Sequence, residues 1–373
     1  MGALGRWFKR NRKHDREPAR QSPPAGPTLE ITITQGGRTV ATKNVGGTIA
    51  VGLQYSAYVE QYGATDERTL EVRSRYAQEL MRENNVNDAV AVYQEVVALR
   101  SATLGPEHPN TLRSKHSLAF ALWQGGSLAE AERVQRGAYE ARRRVLGESD
   151  AETLLSGNNL GWLLIELDRN DEAEPLLRQV ADGMTRTLGK DDERTLSCQM
   201  KLAGVQHRQG RSDQAERAMR AVIKRMSKTL GPLSPLSLHA RSNLLVILLD
   251  SGRAAAAVDA AQALAEDTGR VVGDTDEVSL HARHSLARAL AGVGRSDEAI
   301  QLLATTLPDS ERGRGVDHSA TLDMRILFAG LLTDAGDPRA GQEARAALAG
   351  CERAHGPGHP RTERARSVVR RHR

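Results

Sequence analysis

Leu104-Gly105-Pro106-Glu107-His108-Pro109-Asn110-Thr111-Leu112 is the stretch that decides the fold. Gly105 suits the end of one helix in a left-handed conformation, and Pro109 suits the first position of the next. The glycine belongs to a series. Gly63, Gly105, Gly147, Gly189, Gly231, Gly273 and Gly315 each stand 42 residues after the last. A leucine follows each by seven residues, at Leu70, Leu112, Leu154, Leu196, Leu238, Leu280 and Leu322. Ala89, Ala131, Ala173, Ala215, Ala257 and Ala299 keep the same period, and Gly341 closes that series with another small residue. A fixed period of this length marks a repeat architecture.

Each unit reads as two helices. Three residues after each glycine stands Asp66, His108, Asp150, Asp192, Ser234, Asp276 or His318, and Asp or Ser there suits a helix N-cap. The first helix carries its apolar residues on one face, as at Leu112, Leu118, Ala119 and Leu122. A polar turn such as Gln124-Gly125-Gly126-Ser127 follows, and Ser127 with Glu130 fits a capping box for the second helix. One helix pair cannot bury its apolar face, but seven stacked pairs can. Stacking also explains how a 373-residue chain with 3% aromatic residues builds a core from Leu and Ala.

Composition excludes several classes. Apolar runs such as Leu244 to Leu249 fall far short of the ~20 residues of a membrane span. No apolar stretch follows the basic N-terminus, so export is not expected, and two cysteines fit a reducing, cytoplasmic setting. The net charge of +5 sits in the ends: without residues 1–20 and 361–373 the chain has 39 basic and 44 acidic residues. A nucleic-acid footprint over the body is therefore not expected. Gly46-Gly47-Thr48-Ile49-Ala50-Val51-Gly52 lacks the Lys and Ser/Thr of a phosphate loop, and no metalloprotease, Cys-x-x-Cys or nucleophile-elbow pattern occurs. No enzyme and no cofactor are expected. His239, His281, His284 and Asp323 recur on neighbouring first helices, but ~8–10 Å between helices keeps three units from sharing one ion, so no metal is expected.

Asn158-Asn159-Leu160-Gly161-Trp162-Leu163-Leu164, then Asp171-Glu172-Ala173-Glu174-Pro175-Leu176-Leu177, then Leu188-Gly189, resembles the tetratricopeptide (TPR) repeats of kinesin light chains and their bacterial relatives. The turn at Leu104–Thr111 and its echo Gly356-Pro357-Gly358-His359-Pro360-Arg361-Thr362 resemble the inter-repeat turn of that family. HEAT-like repeats have a similar period, but these turns favour the TPR reading. The resemblance covers roughly residues 60–365 and implies an all-α, right-handed superhelical solenoid whose first helices line a concave, peptide-binding groove. The chain departs from the pattern in keeping the paired Asn only at Asn158-Asn159, with a single Asn at Asn243, and in placing Pro308 inside a second helix.

The expected organisation is a disordered basic tail at 1–27, a short β segment at 28–49, the seven-pair array with an N-terminal half unit at 50–360, and a capping helix at 361–373. Leu29–Thr34 alternates at period two and Gln35-Gly36-Gly37-Arg38 gives a turn, which fits a hairpin. Leu4, Trp7 and Phe8 among basic residues suggest a lipid contact through residues 1–13, although a solvated tail is favoured.

Functional expectation rests on one stripe. Positions 8, 11, 12 and 15 after each glycine share a helical face and vary from unit to unit while the core positions stay Leu or small. The candidate groove residues are Arg75, Arg113, His116, Phe120, Asn158, Asn159, Trp162, Lys201, His239, Asn243, His281, His284 and Arg288. Phe120 and Trp162 are placed to clasp an apolar side chain, the asparagines to bind a peptide backbone, and the basic residues to favour an acidic protein or peptide segment. The blander reading is a solvated face. The chain is expected to be a non-enzymatic interaction scaffold. The alternative is a regulatory sensor of a signalling peptide, an accessory protein of a bacterial defence or signalling system, although residues 1–60 are too few for an effector domain.

Overall fold

A computed structural model of the protein describes residues 29–35 and 38–45 as backbone and residues 47–372 in full. The expected tail at 1–27, with its lipid contact at 1–13, lies outside the described residues. Strands β1 (Leu29–Gln35) and β2 (Arg38–Val45) pair antiparallel, Ile33 opposite Ala41, with a register shift between Ile33 and Thr34. Sixteen described helices follow.

The helices fall into two compact units that divide between Gly189 and Lys190. The first holds α1 (Gly47–Tyr62), α2 (Glu67–Arg82), α3 (Val86–Thr103), α4 (Pro109–Gln124), α5 (Leu128–Leu146), α6 (Ala151–Glu166) and α7 (Asn170–Thr187). The second holds α8 (Glu193–Arg208), α9 (Ser212–Thr229), α10 (Pro235–Asp250), α11 (Ala254–Val272), α12 (Glu277–Gly292), α13 (Ser296–Arg314), α14 (Ser319–Asp334), α15 (Ala340–His355) and α16 (Pro360–His372). From α2 to α14 the even-numbered helices start 42 residues apart. Consecutive helices pack on one another within each unit, and in the second unit α10 also packs on α12 and α14 on α16. This is an all-helical solenoid, stabilised by contacts between near neighbours in sequence.

The turns explain the period. Asp66, Asp150, Asp192, Ser234 and Asp276 each cap a helix by accepting a backbone N–H, and the histidines do the same through Nδ1, His108 from Asn110 and His318 from Ala320, both at 3.2 Å. The glycine that ends each pair has positive φ, but its ψ differs from the left-handed helical value expected. Gly147 has φ 89° and ψ 164°, and Gly315 has φ 95° and ψ 155°. That region is closed to residues with a Cβ, while the space beside Gly147 and Gly315 is open, so backbone strain rather than crowding demands glycine. A second ladder of positive φ marks the turn inside each pair, at Asn84, Gly126, Asp168, Gly210, Gly252, Gly294 and Gly336. Ser127 makes no capping hydrogen bond, which corrects the capping-box expectation. Its φ of −81° and ψ of 59° place it outside the extended backbone of a capping residue.

The leucine series, from Leu70 through Leu322, is at most 3% exposed, and Ala89, Ala131, Ala173, Ala215, Ala257 and Ala299 are fully buried. Pairing is close between α6 and α7, where a Cβ on Gly161 would lie 2.5 Å from Leu177 Cδ2. Pro308 lies inside α13, which continues to Arg314 despite the missing donor.

Candidate functional site

In the first unit the stripe is mostly engaged. Trp162 is 3% exposed and stacks edge-on against the fully buried Trp123, ring centroids 4.3 Å apart, while Phe120 leans on the same indole at 5.6 Å. The aromatic clasp expected of Phe120 and Trp162 is therefore packed internally. The pocket there, lined by His116, Phe120, Gln135, Asn159 and Trp162, holds about 20 Å³, room for about one water molecule. Trp162 is inward because Trp123, three residues beyond Phe120 and not singled out from the sequence, draws it into the α4–α6 interface. Asn158 is buried and Asn159 half-buried. His116 Nδ1 lies 3.3 Å from Gln135 Oε1, and Arg75 donates to Gln54 Oε1 at 2.8 Å.

A charge network lies beneath this face. Arg100 of α3 is 1% exposed and donates to Glu67 at 2.6 Å, Glu71 at 3.0 Å and Ser114 at 2.7 Å. Glu71 also accepts from Arg113 at 3.3 Å, so that stripe arginine is already paired. One repeat later Arg142 is 7% exposed and donates to Ser156 at 3.2 Å; burial lowers its pKa, opposed by Glu152 and Asp150.

The second unit offers more room. A pocket of about 490 Å³ lies among α10, α12, α13, α14 and α16. The expected His281, His284 and Arg288 line it, with Asp250, Arg314, Asp323 and Arg364, and its apolar surface comes from Val246, Ala320, Ile326 and Leu327. Arg288 donates to Asp250 at 3.1 Å, Arg314 to the Glu277 carbonyl at 2.8 Å and Arg364 to Asp323 at 2.7 Å. Arg361 grips the same Asp323 with two bonds of 2.8 Å. Burial pushes the Asp323 carboxyl up, but the Arg361 hydrogen bonds and the charges of Arg361, Arg364 and His284 outweigh it and leave the pKa lowered. Burial holds His281 down to about 4, aided by Arg314 and Arg288, and His284 to about 3, aided by Arg288 and His281. Both rings are uncharged at neutral pH.

The other three second-unit candidates differ in exposure. His239 is 5% exposed, and burial first, then Lys201 and His281, holds its pKa down to about 3. Lys201 is half-buried and donates to Ser197 Oγ at 3.4 Å; Asn243 is half-buried. Thus His281, His284 and Arg288 share one pocket with Lys201, His239 and Asn243 outside its lining. Arg364 was missed although the signal existed: counting eight residues from Gly356 reaches it, as eight from Gly273 reaches His281. Arg314 and Asp250 sit at helix ends, where the stripe count does not reach. Among the described residues no group of three His, Cys, Asp or Glu is placed to hold a metal ion, and no helix is long and apolar enough to cross a membrane.

Models of the tetratricopeptide repeat match residues 68–144, 114–186 and 150–228, then 202–270 and 280–305. The chain belongs to the tetratricopeptide repeat family. No curated protein matches its sequence. Among solved structures, this TPR chain is similar to a kinesin light chain-like protein of nearly identical TPR-like repeats from Podosopora anserina, at 24% identity and TM-score 0.50, over 54% of this chain and 95% of that one. It is also similar to BtubC (BKLC) from P. vanneervenii, at 15% identity and TM-score 0.52, over 61% of this chain and 91% of that one. A Rap protein complexed with competence and sporulation factor matches at 12% identity and TM-score 0.50, over 82% of this chain and 97% of that one. These likenesses establish the fold. No catalytic family is indicated.

Proposed function

We propose that this TPR protein is a non-enzymatic scaffold, an array of seven 42-residue helix pairs that holds an extended acidic segment of a protein or peptide against its first helices. The observation that carries the reading is the second-unit pocket. Three arginines and four apolar residues line about 490 Å³, within the range of ligand sites. The first unit supports it less, because its aromatics are packed and Arg113 is paired to Glu71.

The test uses a fluorescein-labelled peptide of alternating Glu and Leu and a control with Gln for Glu, with anisotropy read at low and high salt. The full chain is expected to bind the acidic peptide at least about tenfold more tightly than the control, with the preference shrinking in salt. Lys201→Glu with Arg288→Glu removes most of it, and Asn159→Ala with Asn243→Ala weakens it severalfold. Equal binding of both peptides, or wild-type binding by both double variants, overturns the reading.

A further inference from the structure

The second-unit pocket is more selective than an acidic groove requires. Its lining is of two kinds: Val246, Ile326 and Leu327 are apolar, and Arg288, Arg314 and Arg364 come from three different helices. A uniformly acidic chain has no use for the apolar residues, and a purely apolar group would leave the arginines desolvated.

The charge balance narrows the ligand further. The three arginines face two aspartates, Asp250 and Asp323, each already held by a lining arginine. His281 and His284 add no charge at neutral pH, because burial and the nearby arginines keep them unprotonated. Arg361, outside the lining, shares Asp323 with Arg364, so arginines outnumber aspartates around the pocket and an anion is favoured. The apolar lining favours an anion carried on an apolar group over inorganic phosphate. Arginine presents its donors in a planar fork that matches a carboxylate with two parallel bonds.

We propose that this pocket binds one carboxylate attached to a compact apolar group, the carboxylate among Arg288, Arg314 and Arg364 and the apolar group on Val246, Ile326 and Leu327. The proposal deepens the segment-binding reading and rests on it for the choice of face, but it is tested with a small molecule. Arg364 comes from α16, which makes that helix part of the site as well as the end of the solenoid.

The probe is N-acetyl-leucine, compared with N-acetyl-leucinamide and with inorganic phosphate, using the full chain and following the methyl resonances of Val246, Ile326 and Leu327. The acid is expected to shift these methyls and to bind at least about tenfold more tightly than the amide, a charged hydrogen bond being worth that much. Arg364→Gln and Arg288→Gln each weaken the acid and leave the amide unchanged. Leu327→Gln weakens both, and since it removes no charge it tests the apolar half separately. Methyls of Val222 and Met219, in the core, report that each variant is folded. The proposal fails if acid and amide bind alike, if neither arginine variant alters binding, or if phosphate displaces the acid at equal concentration. Failure here with the acidic peptide still binding leaves the scaffold reading standing. Success here with no peptide preference overturns that reading and keeps a small-ligand pocket.

Discussion

Arg100 in α3 and Met226 in α9 stand at the same step of the 42-residue period, three repeats apart, and are 1% and 0% exposed. The step is held by Arg100, Arg142 and Met184 in the first unit and by Met226, Thr268 and Ser310 in the second, all buried, so the buried charge is confined to the first two of these repeats. The neighbours change with it. Glu71, Ser74 and Ser114, which receive the Arg100 guanidinium, correspond by the period to Ser197, Met200 and Ala240 around Met226. Glu67 alone keeps its type, at Glu193. A buried charge is thus tolerated in this solenoid when several positions on two adjacent helices move together. The first unit buries Arg100, Arg142 and Trp123, whereas the main cluster of the second unit is apolar and three of its arginines line a pocket.

The strongest way to break this comparison is to strip the partners from Arg100. Glu67→Gln with Glu71→Gln leaves a guanidinium buried without a counter-charge, and is expected to cost about 3 kcal/mol. Arg100→Met is expected to stay within about 1 kcal/mol, because the glutamates it releases are 37% and 51% exposed and can hydrate. Urea unfolding followed by tryptophan fluorescence reads both. Equal losses would mean that Arg100 acts through packing alone.

A second prediction separates the units by pH. The three described histidines with lowered pKa, His239, His281 and His284, all lie in the second unit. Unfolding returns each to the ordinary value near 6.5, so between about 6.5 and 4 the unfolded chain binds more protons than the folded one. Stability therefore falls as pH drops through that window, by up to about 1.4 kcal/mol per pH unit for the buried His239. Amide exchange corrected for its intrinsic rate is expected to speed up in α10–α12 relative to α4–α6, and His239→Gln reduces the difference. A uniform change along the chain would remove the contrast.

The smallest effect concerns the turn inside each pair. Asn84 holds φ 63° where five other repeats have glycine. Asn84→Gly is expected to raise stability by about 0.5–1 kcal/mol and Asn84→Ala to lower it, read as shifts in urea midpoint. If both variants lower it equally, the Asn side chain matters more than its backbone angle.

How far the sequence could be read depended on range. The leucine and alanine ladders and the helix-ending glycines were legible because a turn and its core layer are set within one repeat. Arg100 was not, because a charge on a helix reads as surface until its four partners, supplied by two other helices, are known. Trp162 was misassigned for a related reason: the stripe count gives the angle around one helix, and the neighbouring Trp123 decides whether that angle faces solvent or another indole. The pocket was half legible. His281, His284 and Arg288 follow from the count on one helix, whereas Arg314 and Asp250 belong to helix ends and join them only by packing.

The histidine caps carry a further consequence. At His108, His318 and His359 the imidazole Nδ1 accepts a backbone N–H, so the ring proton must reside on Nε2. Where the other turns use an aspartate or serine oxygen, these three use a lone pair that exists in only one tautomer and disappears when the ring takes a second proton. The same turn shape is thus written in two chemical alphabets, one indifferent to the placement of a proton and one defined by it.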